Sequence, residues 1–187
     1  LILSKVAPSP EGSGFRPEQV RQACEQSLRR LRTDRLDLYQ LHWPDETGLP
    51  LEDTWGAMAS LVEDGLVRHI GVSNFDQALI ERCEAVRHVD SLQQEFSMLQ
   101  QQDKDLIRWC GEHGTGVLSY GPLAFGLLTG AITRETAFDK GDFRGGDESD
   151  GLFGSGFERN LAIVERLRPI ATRLGVSLAE LALAWNV

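Results

Sequence analysis

Six polar or aromatic side chains stand at or near the ends of apolar, strand-like runs: Lys5, His42, Ser73, Asn74, Gln93 and Tyr120. In parallel α/β proteins ligands bind at the carboxyl ends of strands. A cation, an imidazole, a hydroxyl, two amides and an aromatic face at such ends describe a site suited to hydride transfer to or from a carbonyl. A nicotinamide lies flat and needs a ring to stack on. Its carboxamide carries donors and acceptors that Ser, Asn and Gln match. The developing alkoxide needs a proton donor, and a nearby cation lowers that donor's pKa, from about 10 for a tyrosine. An imidazole orients the carbonyl and adds a hydrogen bond. The turn from Gly121 to Gly126 offers backbone N–H groups to a pyrophosphate. Each residue alone also has a plain structural reading. Lys5 reads as a snorkelling surface lysine, His42 as a loop histidine, Asn74 as the N-cap of the next helix, Gln93 as a solvated edge residue and Tyr120 as a core ring with a bonded hydroxyl.

The elements that must position these side chains follow from periodicity. Leu1 to Val6 is an apolar run giving a strand that ends at Lys5, followed by a Gly/Pro/Ser-rich loop from Ala7 to Phe15. Pro17 fits the first turn of a helix, whose apolar face is Val20, Ala23, Cys24, Leu28 and Leu31. Leu36 to Leu41 is a strand, His42 stands at its end and Pro44 stops it. A helix from about Leu51 carries Trp55, Met58, Leu61 and Val62 inward and ends at Gly65. A strand from about Val67 to Val72 leads to Ser73-Asn74. Asp76 caps a helix with Leu79, Ile80, Cys83 and Val86 inward. A short strand spans Ser91 to Gln93, and a helix opened by Asp103 buries Leu106, Ile107 and Cys110. A strand follows, Val117 to Tyr120. After the Gly121–Gly130 stretch comes a Gly/Asp-rich loop to about Gly156, of the length that is functional or disordered in compact domains. Its part from Asp139 to Gly156 is expected to be a mobile flap. Two helices close the chain, the first ended by Gly175, the second opened by the capping box Ser177-x-x-Glu180.

Strands alternating with helices give right-handed βαβ units and a parallel sheet. The fold class is therefore α/β, and the repeat is that of a (β/α)₈ TIM barrel, incomplete here at about five βα units, since a full barrel takes about 250 residues. A doubly wound sheet is the competing architecture, but no Gly-x-Gly-x-x-Gly follows any strand.

Composition narrows the partners. The chain has 187 residues and a net charge of −9 without a clustered basic face, a poor match to nucleic acid. No run approaches the roughly 20 apolar residues of a membrane span. Cys24, Cys83 and Cys110 fall on apolar helix positions without metal-type spacing, so they read as buried reduced thiols, with no metal, in a reducing, cytoplasmic setting. Both ends of the chain look cut, inside a strand and inside a helix.

The ordered set of motifs resembles the aldo-keto reductases. The matching stretches are Leu1–Val6 with its lysine, Leu36-Asp37-Leu38-Tyr39-Gln40-Leu41-His42-Trp43-Pro44, the run from Gly65 to Phe75, Leu92-Gln93, Tyr120-Gly121-Pro122-Leu123, Gly126 to Gly130, Gly141-Asp142-Phe143-Arg144 and Leu181 to Trp185. The long loop after Tyr120 looks more like the larger bacterial-type members than the compact aldose-reductase type. The resemblance implies a metal-free (β/α)₈ barrel using NADP(H), with NAD(H) left open, and a catalytic set of Asp, Tyr, Lys and His. On it, Lys5 and His42 are catalytic and Trp43 lines the substrate pocket. Ser73, Asn74 and Gln93 meet the carboxamide, Gln93 rather than Gln94 because it precedes Glu95 by two residues as in the family pattern. Tyr120 stacks on the ring, and Gly121, Leu123 and Gly126 lie along the pyrophosphate.

The family's Asp and proton-donating Tyr precede its third strand, and nothing precedes Leu1. Tyr39 and Tyr120, the only tyrosines, hold other motif positions, which puts the activity of the fragment alone in doubt. The segment that grips an adenosine 2′-phosphate falls after the last helix. The expectation is a single barrel domain over residues 1–187, truncated at both ends. It belongs to an oxidoreductase acting between NADP(H) and an aldehyde, ketone or sugar, with a small-molecule carbonyl substrate, no nucleic acid, no membrane and an oligomeric state left open. The alternatives are an aldose dehydrogenase of the same family, a non-catalytic cofactor-binding regulatory subunit, and a lyase or isomerase on a barrel.

Overall fold

In the computed structural model, residues 1–7, 14–145 and 151–187 are described. Strand β1 (Leu3–Val6), helix α1 (Pro17–Leu31), β2 (Leu36–Leu41), α2 (Leu51–Glu63), β3 (Val67–Ser73), α3 (Gln77–Glu84), β4 (Ser91–Glu95), α4 (Lys104–Glu112) and β5 (Gly116–Tyr120) alternate in order. Two 3₁₀ segments, Ala124–Thr129 and Phe143–Gly145, precede α5 (Phe157–Leu174) and α6 (Leu178–Asn186). The chain divides into two compact units: residues 1–94 with 104–118, and residues 95–103 with 119–187.

In the first unit the sheet order is β1-β2-β3-β4-β5. β1 to β4 pair in parallel, in a register that matches Lys5 with Gln40, Gln40 with Gly71, Gly71 with Ser91, and Ser73 with Gln93. Successive side chains alternate between faces. Val6, Tyr39, Leu41, Ile70, Val72 and Leu92 point to the helix side and join Val20, Cys24, Trp55, Met58, Ile80 and Cys83 in one core. Lys5, Gln40, Gly71, Ser73, Ser91 and Gln93 fall on the other face.

Local signals set the helix ends. Gly65, at φ +74°, closes α2: its N–H reaches the Val62 carbonyl and that of Leu66 the Leu61 carbonyl, both at 3.0 Å. This paired closure needs a left-handed residue, which glycine adopts without a Cβ clash. Asp76 caps α3 by accepting the Leu79 N–H at 2.8 Å. In the second unit, Ser177 and Glu180 exchange hydrogen bonds at the start of α6, and Leu127, Leu128, Leu161, Val164, Leu178 and Ala182 make its core.

The structure differs from the sequence expectation at several edges. β1 runs to Val6, one residue past Lys5, and β4 reaches Glu95. Val86 lies beyond the end of α3 and is 45% exposed; Val89 takes the buried place instead. Leu31 and Leu174 sit in last helical turns, where the apolar face has run out of partners, and are exposed. Residues 8–13 of the first loop and 146–150 of the expected flap lie outside the described residues. The three cysteines are free and buried. Burial pushes the Cys83 thiol up to about 12 and the Cys24 and Cys110 thiols up to about 11, values that keep them protonated and unreactive. No helix among the described residues is long and apolar enough to cross a membrane.

Candidate functional site

The first unit gathers five of the expected residues, with Trp43, at neighbouring strand ends. His42 directly follows β2, and its N–H donates to the Val6 carbonyl at 3.0 Å, continuing the ladder one residue beyond the strand. That bond holds the imidazole at the sheet's carboxyl edge. Burial, and then the positive charge of Lys5, lower the His42 pKa from its ordinary value. The imidazole is therefore neutral at pH 7 and keeps one N–H donor and one acceptor. Trp43 stacks on it with ring centroids 4.1 Å apart and 24° between planes. Lys5 is exposed and lies one row nearer the amino end of the sheet, beside Gln40.

Ser73 ends β3 and is buried. Asn74 then takes φ +60°, a left-handed conformation that asparagine tolerates better than most residues. Its N–H donates to the Gln93 carbonyl at 3.0 Å. Its side-chain amide donates to the His42 carbonyl and to Ser73 Oγ, both at 3.3 Å. Asn74 thus ties the ends of β2, β3 and β4 together. The helix cap that sequence offered as its plain role belongs to Asp76 instead. Gln93 shares a row with Ser73, whereas Gln94 falls on the opposite face.

The loop after Trp43 has an anchor that sequence reasoning missed. Asp45 accepts the Phe15 N–H at 2.7 Å and both the N–H and hydroxyl of Thr47 at 2.6 Å. Burial alone would raise its pKa, but these hydrogen bonds outweigh it and hold the carboxyl below its ordinary value. A Cβ at Gly14 would lie 2.5 Å from Thr47 Oγ1 and 2.7 Å from Asp45 Oδ2, at φ +76°, so the close approach of these loops requires glycine there. The acidic residue two positions after Trp43 was the only available signal.

The second unit carries Tyr120, Gly121, Leu123 and Gly126. Tyr120 ends β5, and its carbonyl accepts the Phe96 N–H at 3.1 Å. Burial first, then the carboxylates of Glu95 and Asp103, push its phenol up. The ring is a neutral aromatic face and not a poised acid. The following turn is left-handed at Gly121 (φ +66°), Ala124 (φ +47°), Phe125 (φ +51°) and Gly126 (φ +108°). Two non-glycine residues in that region cost about 1–2 kcal/mol each, and strain of this kind collects where a ligand is met. The N–H groups of Ala124 and Gly126 donate within the turn, to Gly121 and Leu123. The Gly126 N–H is thus already used within the turn, and its φ of +108° is what the turn requires of it.

Two further anchors in this unit were not assigned from sequence. Arg144 grips Asp142 through Nε at 3.0 Å and Nη2 at 2.6 Å, donates from Nη1 to the Phe125 carbonyl at 3.4 Å, and lies 4.9 Å over the Phe138 ring. The Arg144 guanidinium pulls the Asp142 carboxyl down to about 2. Gly141-Asp142-Phe143-Arg144 was visible as a motif, but its link to Phe125 spans the glycine turn and has no local signature. Asn186, on α6, accepts the Ser119 hydroxyl and donates to the Phe96 carbonyl at 2.8 Å. Among the described residues no cluster of three or more His, Cys, Asp or Glu could hold a metal ion.

Comparison with known proteins gives these placements a frame. The pattern of the Aldo/keto reductase family matches residues 1–187. Aldo-keto reductase YhdN of Bacillus subtilis (strain 168) is 34% identical over 89% of the chain and 50% of its own length. The structure of a glycerol dehydrogenase from Gluconobacter oxydans is 34% identical with a TM-score of 0.84, covering 91% of this chain and 52% of that one. An aldo/keto reductase from Klebsiella pneumoniae, solved in complex with NADP and acetate, is 32% identical with a TM-score of 0.66, covering 98% of this chain and 54% of that one. The chain spans about half the length of the relatives it matches.

Proposed function

The chain belongs to the aldo/keto reductase family, and its five strands and their helices are part of that family's (β/α)₈ barrel; we propose that the intact protein transfers a hydride between NADP(H) and a small carbonyl or alcohol. The observation that carries this reading is the knot at the strand ends, where the Asn74 amide holds the His42 carbonyl and Ser73 Oγ while the Asn74 N–H holds Gln93. The donor set fits a nicotinamide. Ser73, Asn74 and Gln93 offer one hydroxyl and two primary amides, the groups that match both ends of a carboxamide. Tyr120 offers a neutral aromatic face, its phenol raised further by burial. Nicotinamide, when bound, supplies or takes up the hydride. The Klebsiella pneumoniae relative was solved with NADP, which favours the phosphorylated dinucleotide here.

The chain's own residues divide the remaining work. Neutral His42 donates a hydrogen bond to the carbonyl oxygen and so fixes its orientation. Lys5 supplies a positive charge that favours a deprotonating donor nearby. Neither tyrosine of the chain is that donor. Tyr39 is fully buried on the helix side, where burial raises its phenol, and Tyr120 is raised as well. Trp43, 43% exposed beside His42, covers substrate. The buried, protonated thiols suit a reducing, cytoplasmic setting.

The test is steady-state reduction of an activated aromatic aldehyde by the intact protein with NADPH, beside a nicotinamide-fluorescence titration. Turnover with saturable binding supports the reading. Binding without turnover would favour a regulatory cofactor-binding protein, and absence of both would remove it.

A further inference from the structure

Beneath the strand-end knot lies a buried polar contact that no part of the proposed chemistry uses. Gln40 is 2% exposed and Ser91 6% exposed. Gln40 Nε2 donates to Ser91 Oγ at 3.1 Å and to the Val72 carbonyl at 3.4 Å. Gln40 pairs in register with Gly71, and Gly71 with Ser91. The amide therefore passes over β3 to reach β4. It can do so only because residue 71 has no side chain: a Cβ there would lie 2.3 Å from Ser91 Oγ and 2.5 Å from the Ser91 carbonyl.

The register places this contact with respect to the site. Each of the three strands carries its site residue two positions later, on the same face: His42 after Gln40, Ser73 after Gly71, Gln93 after Ser91. Two residues of strand rise by about 6.6 Å, so the contact is one row below the row that holds the imidazole and the donors. On the other side of it a cleft of 440 Å³ opens on the same sheet face, lined by Leu3, Leu38, Val117 and Leu118 and by Ser91 itself. Below the contact, among the described residues, the side chains of Leu38 and the cleft make no hydrogen bond across all three strands, so the backbone ladder is what joins all three there. The Gln40 amide adds a side-chain constraint across all three, since a hydrogen bond tolerates little change in length and angle.

We infer that Gln40 is a positioning residue for the nicotinamide-carboxamide end of the site, acting through the Gln40–Ser91 bridge across Gly71 to fix the relative heights of His42, Ser73–Asn74 and Gln93. The inference rests on the proposed function for its ligand, and on the register and the Gln40–Ser91 bond for its geometry. A polar bridge in a sheet interior is costly to leave half-made, so the pair favours the height at which both groups are satisfied.

The test uses Gln40→Met, close in volume but unable to donate, and Ser91→Ala, which removes the acceptor with a smaller change. Reduced nicotinamide mononucleotide is titrated against the intact protein, and amide exchange is followed at Asn74, whose N–H bonds Gln93. The expected result is binding weakened about tenfold, the equivalent of one misaligned hydrogen bond, together with faster exchange at Asn74 in both variants at temperatures where they remain folded. A lowered melting temperature with unchanged binding and unchanged exchange overturns the inference and leaves Gln40 a stability residue. Should the wild-type protein bind no nicotinamide nucleotide, the proposed function falls, and the exchange comparison still decides whether Gln40 sets the height of this row. If Gln40→Met does not fold, Ser91→Ala carries both readouts.

Discussion

Ser91 occupies the space that any side chain at Gly71 would need. Its hydroxyl and carbonyl oxygens lie 2.3 and 2.5 Å from the position of a Cβ on residue 71. One of those atoms is backbone, so no rotamer change relieves the contact. Gly71→Ala is expected to lower stability by about 1–3 kcal/mol, the usual cost of overpacking a filled interior, with a matching fall in the urea midpoint at an unchanged slope. Gly65→Ala provides a contrast. Nothing lies within 4 Å of a Cβ there, so only its φ of +74° is penalised, at about 1–2 kcal/mol. A Gly71→Ala protein as stable as wild type would mean that β3 and β4 can part without loss.

Asn74 joins backbone strain to site chemistry, and two substitutions separate them. Asn74→Gly keeps the left-handed conformation and removes the amide, whereas Asn74→Ala removes the amide and keeps a Cβ at φ +60°. The alanine variant is expected to be less stable than the glycine variant by about 1–2 kcal/mol. Both lose the bonds to His42 and Ser73, so both are expected to bind reduced nicotinamide mononucleotide more weakly than wild type. Urea unfolding and fluorescence titration measure the two effects. Equal stabilities of the two variants would remove the strain argument, and wild-type binding in both would remove Asn74 from the carboxamide contacts.

Local chemistry made much of this legible in sequence. Gly65 and Gly175 stop helices because a left-handed residue must follow the last turn, and Asp76 and Ser177 start helices because a side-chain oxygen must meet a free N–H. These signals act within six residues. The Gln40–Ser91 bridge spans 51 residues and the Arg144–Phe125 contact 19, and neither leaves a mark in its own neighbourhood. Val86 was misplaced for a related reason. Periodicity continued its helix past Glu84, while the buried position was filled by Val89 from the next segment. The candidate site residues were legible as strand-end positions. What sequence could not supply was the order among them: Lys5 one row low, Asn74 as the tie and Gly126 with its N–H turned inward.

Tyr120 has a carbonyl fixed by Phe96 and a neutral phenol that burial pushes further up, so its expected contribution is the ring face. Tyr120→Ala is expected to weaken NADPH binding by about 1–3 kcal/mol, by analogy with base-stacking losses, and Tyr120→Phe to leave it within about twofold, since the stacking area is kept. Isothermal titration of both variants checks this. A phenylalanine variant as weak as the alanine one would assign the role to the hydroxyl instead.

Lys5 and His42 are linked by charge, and the link has a sign. The positive Lys5, after burial, lowers the His42 pKa, so protonation of the folded protein at His42 is resisted. The unfolded chain takes up that proton near pH 6.5; stability is therefore expected to fall as pH drops below about 6.5 and to level off below the depressed folded value. Lys5→Met removes the repulsion and is expected to raise the His42 pKa, read from the imidazole C–H shifts by NMR, and to shrink the stability loss on acidification. The same substitution withdraws the positive charge that the proposed mechanism sets beside a proton donor. In the intact enzyme kcat is expected to fall by about 10²–10⁴-fold, the range of acid–base assistance, while NADPH binding and the melting temperature stay close to wild type, because residues at the carboxyl rim of a barrel carry little of its stability. His42→Ala is expected to lower kcat/KM for the aldehyde through loss of orientation. The two readouts are independent: an unmoved His42 titration in Lys5→Met would deny the electrostatic contact, and wild-type turnover in both folded variants would deny the division of labour between cation and imidazole.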